Sequence, residues 1–272
     1  MRASTQTPES QFVEVAGLRI RYAIEGSGPP LVLLTGIGAN LEMWRPFIAE
    51  LGPLEVISVD LPGTGQSQTP LAPLTMRGLA KLIVQLLDVL GYPRVSLLGY
   101  SFGGLLAQQV AHISPDRVER LILVATGCGL GAVPGKPSAM LALLTPTRYY
   151  SRSYFEKLGP VLYGGRCRRD PDALRRLASA RLTHPPTGRG YLWQLLATSG
   201  WSSLPWLTDL RMPTLVLSGD DDPVVPAVNG RLLASRIPNA RLELIEGGGH
   251  LMLLDQPEDV APRVMDFLAG AG

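Results

Sequence analysis

The stretch Leu98-Gly99-Tyr100-Ser101-Phe102-Gly103-Gly104 decides the fold of this chain. It contains G-x-S-x-G, and its flanks give that pattern its meaning. Arg94-Val95-Ser96-Leu97-Leu98 is a short apolar run that reads as a buried strand. Leu105-Leu106-Ala107-Gln108-Gln109-Val110-Ala111, on the other side, is rich in good helix formers. A serine between the two sits on a sharp strand-to-helix turn, a nucleophile elbow. The turn holds the serine backbone in a strained region, so its neighbours two before and two after crowd it, and Gly99 and Gly103 leave room. The helix start also points free N–H groups and its positive dipole end at the serine.

The chain of 272 residues is long enough for one large α/β domain with an insertion. With 46% hydrophobic and 18% charged residues it has the composition of a soluble globular protein. A formal net charge of +2 with no long basic run argues against nucleic acid and acidic membrane surfaces as partners. The polar opening Met1–Ser10 lacks the apolar core of a signal peptide, and no apolar run is long enough to span a bilayer. Cys128 and Cys167 lack metal spacing and read as free thiols of a reducing cytoplasm.

Working outward, the segments on either side of Ala16-Gly17 alternate polar and apolar and read as an antiparallel hairpin at a sheet edge. Leu31–Leu34 reads as an interior strand and Arg120–Thr126 as a buried one, with Val56–Val59 and Pro213–Ser218 as further strands and Leu242–Ile245 as the last. A helix is expected from about Asn40, a good N-cap, and another over Thr75–Leu90, ended by Gly91. A closing helix is expected over Pro257–Leu268. The G-x-G of Gly63-Thr64-Gly65 lacks the third glycine and the immediate helix of a dinucleotide fingerprint, and Asp60 reads as bonding its own turn. From about Gly127 to Asp209 there is no clean strand, only helical stretches rich in Leu, Tyr, Trp and Arg. Arg166, Arg168 and Arg169 beside Asp170 read as a solvated, self-paired surface. The expectation is a core of residues 1–126 and 210–272, with 127–209 inserted after the sixth strand.

A serine hydroxyl needs a base, and the chain offers three histidines. His112 lies inside the elbow helix and His184 beside Pro185-Pro186, whereas His250 follows a glycine turn after the last strand. His250 is the choice. An orienting carboxylate must come from Asp220, Asp221 or Asp222, and G-x-x-D-x-x-x-P selects Asp222. Adjacent carboxylates in one loop with no nearby histidine are weak evidence for a metal, and neither metal nor cofactor is expected.

The order Ser101, Asp222, His250 and the elbow resemble the α/β-hydrolases. That resemblance implies a mostly parallel central sheet flanked by helices, with the insertion as a helical lid. It also implies an oxyanion hole formed by the backbone N–H groups of Phe102 and of the loop after the third strand, where Ile37 stands between Gly36 and Gly38.

More narrowly, Gly36–Glu42, Val133–Pro137, Tyr163–Gly165, Arg168–Pro171 and Tyr191–Leu195 resemble the intracellular medium-chain-length poly(3-hydroxyalkanoate) depolymerases. Gly200-Trp201, Leu217–Pro223, Arg231–Ala234 and Arg236–Ala240 extend the match over most of the chain. The elbow departs from that family, with Gly-Tyr-Ser-Phe-Gly where Gly-Val-Ser-Trp-Gly is expected. The resemblance implies a cytoplasmic serine esterase, associated with hydrophobic polyester granules, that cuts polyesters or oligoesters of 3-hydroxy acids. Leu144, Trp193 and Trp201 are candidates for an apolar acyl site. Two other readings stand beside it: a small-molecule carboxylesterase or lactonase, and a ligand-binding or receptor protein with a slow or silent triad.

Overall fold

The alternating segments around Ala16-Gly17 fold back as β1 (Gln11–Val15) and β2 (Leu18–Gly26), antiparallel and at the sheet edge. Both turn residues have positive φ, 52° and 73°, as a tight hairpin turn requires. The structure is a computed structural model that describes residues 9–270. The apolar runs become β3 (Pro30–Leu34), β4 (Glu55–Val59), β5 (Val95–Tyr100), β6 (Val118–Val124), β7 (Thr214–Gly219) and β8 (Ala240–Ile245). Among the described residues they form one sheet in the order β1-β2-β4-β3-β5-β6-β7-β8. β2 runs antiparallel to β1 and β4, and all other neighbours are parallel.

Parallel neighbours need crossovers, and helices supply most of them. The single turn α1 (Arg45–Ile48) lies between β3 and β4, α2 (Met76–Leu90) between β4 and β5, and α3 (Phe102–Ile113) between β5 and β6. The long connection from β6 to β7 carries α4 (Pro137–Leu143), α5 (Arg152–Tyr163), α6 (Gly165–Arg169), α7 (Pro171–Thr183) and α8 (Gly188–Thr198). α9 (Val228–Arg236) joins β7 to β8, and α10 (Met252–Asp255) and α11 (Pro257–Leu268) close the chain. α2 begins with the Thr75 hydroxyl accepting the N–H of Gly78 and ends at Gly91 with φ 79°.

Successive strand residues point to opposite faces, so the sheet separates two cores. Leu31, Leu33, Leu98 and Tyr100 pack with Trp44, Phe47 and α11, while Val32, Leu34, Val95 and Leu97 pack with α2 and α3. Each buried Leu or Val stabilises the fold by about 1.5–3 kcal/mol.

Two local expectations are corrected. The segment after Asn40 is a short 3-10 turn, Leu41–Trp44, followed by one turn of α-helix, and the Asn40 side chain caps neither. The Asp60 carboxylate holds the start of this turn, accepting the N–H of Leu41 at 2.8 Å. Asn40 Nδ2 then reaches across to the carbonyls of Ala180 and His184 at the end of α7, which have no partner inside the helix. Asp60 does bond its own turn, accepting from Gln66 N, but it also pairs with the buried Arg21. A side chain at position 65 would strike the Asp60 carboxylate, and one at position 63 would strike Gly190 of α8. The glycines of that loop are required by these contacts, not by a dinucleotide.

Candidate active site

Each chemical group predicted from the sequence sits just past the carboxyl end of a strand in the parallel part of the sheet. Ser101 follows β5 directly, Ile37 follows β3, Asp222 follows β7 and His250 follows β8. Chain order reverses between β3 and β5, the switch point at which open α/β sheets leave a crevice.

Ser101 has φ 54° and ψ −116°, a conformation costing on the order of 1–3 kcal/mol. Hydrogen bonds hold it there: Ser101 N donates to Val124 O at 2.9 Å, and the Thr126 hydroxyl donates to Ser101 O at 2.8 Å. The flanking glycines act differently from the expectation. A Cβ on Gly99 would lie 2.3 Å from the carbonyl oxygen of Gly103, and one on Gly103 would lie 2.0 Å from that of Leu34. They let α3 close onto β5 and β3, and the crowding is between elements and not at the serine.

His250 Nε2 lies 3.0 Å from Ser101 Oγ, and His250 Nδ1 lies 2.8 Å from Asp222 Oδ2. The other Asp222 oxygen accepts the N–H groups of Val224 and Val225, so the carboxylate is fixed at both ends. Asp220 is exposed, and Asp221 faces the insertion, accepting from Gly165 N and Arg168. The acid and histidine loops touch directly: Asp221 N donates to Gly248 O, and a Cβ on Gly219 would meet that same oxygen at 2.2 Å. The Tyr100 hydroxyl donates to His250 O, and burial pushes that phenol well above its ordinary pKa. His250 N donates to Tyr163 O at 2.7 Å, and the two rings lie nearly parallel.

Phe102 is the first residue of α3, where an N–H has no partner inside the helix. Ile37 and Phe102 both line a cavity of about 360 Å³ that reaches Ser101. Met140, Leu143 and Leu195 of the insertion form much of its apolar wall. A second, much smaller cavity of about 20 Å³ also reaches Ser101 and His250, and Arg148, Tyr149, Tyr163 and Arg181 line it.

The apolar candidates fall elsewhere. Leu144 is exposed, Trp193 donates its indole N–H to Pro70 O, and Trp201 bonds Gln109 and packs edge-on against Trp206. None of the three lines either cavity, because the face each presents on its segment is taken by the core or by solvent. His112 stacks on Trp206 and His184 lies 3.5 Å from Glu42, both away from the serine. The arginine cluster is also corrected. Asp170 caps α7 and pairs with Arg176, while Arg166 reaches Glu258, Arg168 reaches Asp221 and Arg169 reaches Gly247 O. Arg168 and Arg169 tie the insertion to the acid and histidine loops, and Arg166 ties it to α11. Cys128 and Cys167 are free and buried. Among the described residues, no group of three or more His, Cys, Asp or Glu side chains is arranged to hold a metal.

Sequence reasoning missed Tyr100, Tyr163, Gln194, Arg148 and Arg181. Strand alternation from Leu98 turns Tyr100 toward the histidine loop, and Tyr163 and Gln194 fall in segments of the family resemblance, which assigned them no role. The others act from the insertion, whose helices announce periodicity but not their neighbours.

A family model described as the alpha/beta hydrolase fold matches residues 29–257. The chain belongs to the α/β-hydrolase family. It is 47% identical over 260 residues to a poly(3-hydroxyalkanoate) depolymerase of Ectopseudomonas oleovorans, covering 94% of this chain and 91% of that protein. It is 28% identical to 3-oxoadipate enol-lactonase 2 of Acinetobacter baylyi, over 88% of this chain and 89% of the lactonase. The crystal structure of the enol-lactonase from Burkholderia xenovorans LB400 superimposes with a TM-score of 0.81 at 26% identity, covering 95% of this chain and all of that one.

Proposed function

We propose that the protein is a serine esterase that hydrolyses polyesters or oligoesters of medium-chain 3-hydroxy acids. Ser101 attacks the acyl carbon while His250 takes its proton, and Asp222 holds the imidazole in the required tautomer. The N–H groups of Phe102 and Ile37 receive the oxyanion. His250 returns the proton to the leaving alcohol, then activates a water that releases the acid from Ser101. The observation that carries the reading is the pair of hydrogen-bond distances, 3.0 Å and 2.8 Å, joining Ser101, His250 and Asp222 at the mouth of an apolar cavity of about 360 Å³. The polyester is favoured by the 47% identity to the depolymerase, and the cavity suits a medium alkyl chain.

In this reading residues 127–209 are a lid, since Met140, Leu143 and Leu195 roof the cavity. Exposed Leu130, Leu141, Leu144, Leu192 and Leu196 on the same segment would rest on a hydrophobic granule in the cytoplasm. A small-ester or lactone substrate is the second reading, supported by the enol-lactonase whose fold superimposes over its full length.

The test is acid release from amorphous medium-chain poly(3-hydroxyalkanoate), with a series of soluble nitrophenyl esters alongside. Ser101→Ala is expected to lower turnover of both by about 10⁶-fold. Cleavage of the soluble esters alone would remove the polymer and keep the triad. Loss of neither activity in the variant would remove Ser101 as nucleophile, and no turnover of any ester would favour a binding protein.

A further inference from the structure

The insertion buries a cation beside the nucleophile without giving it an anion. Arg181 of α7 is 2% exposed. Its Nε and Nη1 are buried and have no hydrogen-bond partner, and among the described residues no carboxylate pairs with it. The rings of Tyr149, Phe155 and Tyr163 surround the guanidinium at 4.7–5.2 Å. Aromatic faces stabilise a cation, but they satisfy few of its five N–H donors. Arg148, on the same cavity, is held only by neutral groups: the carbonyls of Ala142 and Thr145 and the phenol of Tyr191. The Tyr163 hydroxyl is likewise buried and unpartnered. Two cations and a free hydroxyl donor therefore line the cavity of about 20 Å³ that reaches Ser101 and His250. Burying an uncompensated charge is costly, so such an arrangement points to an anion that arrives with the substrate.

We propose that Arg181, with Tyr163, forms a subsite for the terminal carboxylate of the ester's leaving unit, so that the enzyme removes 3-hydroxy acids from the carboxyl end of its substrate. The proposal rests on the esterase reading above. In a 3-hydroxyacyl ester the last unit runs from the ester oxygen through two carbons to its carboxylate. Attack at the preceding carbonyl forms the Ser101 Oγ–acyl bond and breaks the carbonyl–oxygen bond. His250 passes the serine proton to the departing alkoxide, and the 3-hydroxy acid leaves with its carboxylate still ionised. Water then cleaves the acyl-enzyme. A cavity this small, with two guanidinium groups in its wall, admits a carboxylate head and excludes an alkyl chain, which has the larger apolar cavity. An internal unit would offer a neutral ester carbonyl there, a weaker partner for a guanidinium.

The experiment compares the ester-linked dimer of 3-hydroxyoctanoate as the free acid with its methyl ester, and uses 4-nitrophenyl octanoate to report the esterase itself. In the wild type, kcat/KM is expected to favour the free acid by about tenfold or more, and Arg181→Gln brings that ratio toward one. Arg181→Lys keeps part of it. Calorimetric binding of 3-hydroxyoctanoate and its methyl ester to Ser101→Ala gives the same contrast without turnover. Equal kcat/KM for the two dimers in the wild type would overturn the proposal, and that arm needs no arginine variant to fold. A variant that loses activity on all three substrates with the ratio intact would make Arg181 structural. Failure to cleave any of the three would break the esterase reading, and the binding contrast would then decide the subsite alone.

Discussion

The loops at the carboxyl ends of β3, β5, β7 and β8 and the helical insertion meet at one site but are built by different means. In the core, backbone contacts set the positions. Gly103 lets α3 touch β3, Gly99 lets it touch β5, and Gly219 lets the acid loop touch the histidine loop. In the insertion, side chains reach over and hold what the core presents. The Tyr149 hydroxyl donates to Ile37 O, Gln194 Oε1 accepts from Gly38 N, Arg168 pairs with Asp221, and Arg169 donates to Gly247 O. In the proposed reading the core supplies the reacting groups, and the insertion supplies side chains that brace their loops and much of the pocket wall.

That division is broken most sharply at Asp222. Asp222→Asn keeps the shape and hydrogen-bonding size of the side chain but holds the wrong imidazole tautomer, and turnover is expected to fall by about 10⁴-fold. Asp220→Asn, at an exposed neighbour, is expected to leave turnover within about twofold, in line with the small effects of surface substitutions. Steady-state kinetics on a nitrophenyl ester checks both. Near-normal turnover in Asp222→Asn would move the acid elsewhere in the loop.

A residue of the insertion should cost less and in a different parameter. Gln194 is buried in α8 and takes the N–H of Gly38 at 2.8 Å, one residue past Ile37. Gln194→Ala leaves that N–H unpaired and frees the oxyanion loop, at a cost of about 1–2 kcal/mol. The expected result is about a tenfold fall in kcat with KM nearly unchanged, because the oxyanion forms only in the transition state. A rise in KM with kcat intact would place Gln194 in ground-state binding and blur the division.

The same division explains what was legible in the sequence. β3 is a continuous apolar run and β4, β5, β6 and β7 are mostly apolar, and Ser101, Asp222 and His250 each follow a glycine-marked strand end, so local pattern marks the strands and the candidate chemical groups. The substrate wall does not follow such a rule. Trp193 and Trp201 have the size of acyl-site residues, yet their indole N–H groups are drawn to Pro70 O and Gln109. Met140, Leu143 and Leu195 line the cavity because of how α4 and α8 turn, which depends on contacts distant in sequence, such as Gly63 against Gly190. Nothing local in the sequence sets Arg181 apart from the other arginines of the insertion. Its burial comes from tertiary packing of α7, against α5, α6, α10 and the turn after Asn40.

The smallest expected effect tests the joint between the two regions. Arg21 of β2 binds Asp60 after β4 and Glu42 after β3, and Glu42 lies 3.5 Å from His184 of the insertion. Asp60 is wholly buried, and burial raises its pKa from 3.8 to about 6 despite its hydrogen bonds from Gln66 and Leu41 and the nearby Arg21. A carboxyl whose folded pKa is raised contributes stability that is complete below its unfolded value near 4 and is lost as pH rises through about 6. Asp60→Asn does not titrate, so its disadvantage against the wild type should shrink between pH 4 and pH 7, by on the order of 1 kcal/mol. Urea unfolding of both proteins across that window checks this. A constant difference would mean that Arg21 keeps Asp60 ionised throughout, and the joint would then be a permanent ion pair with no share in the pH dependence of the fold.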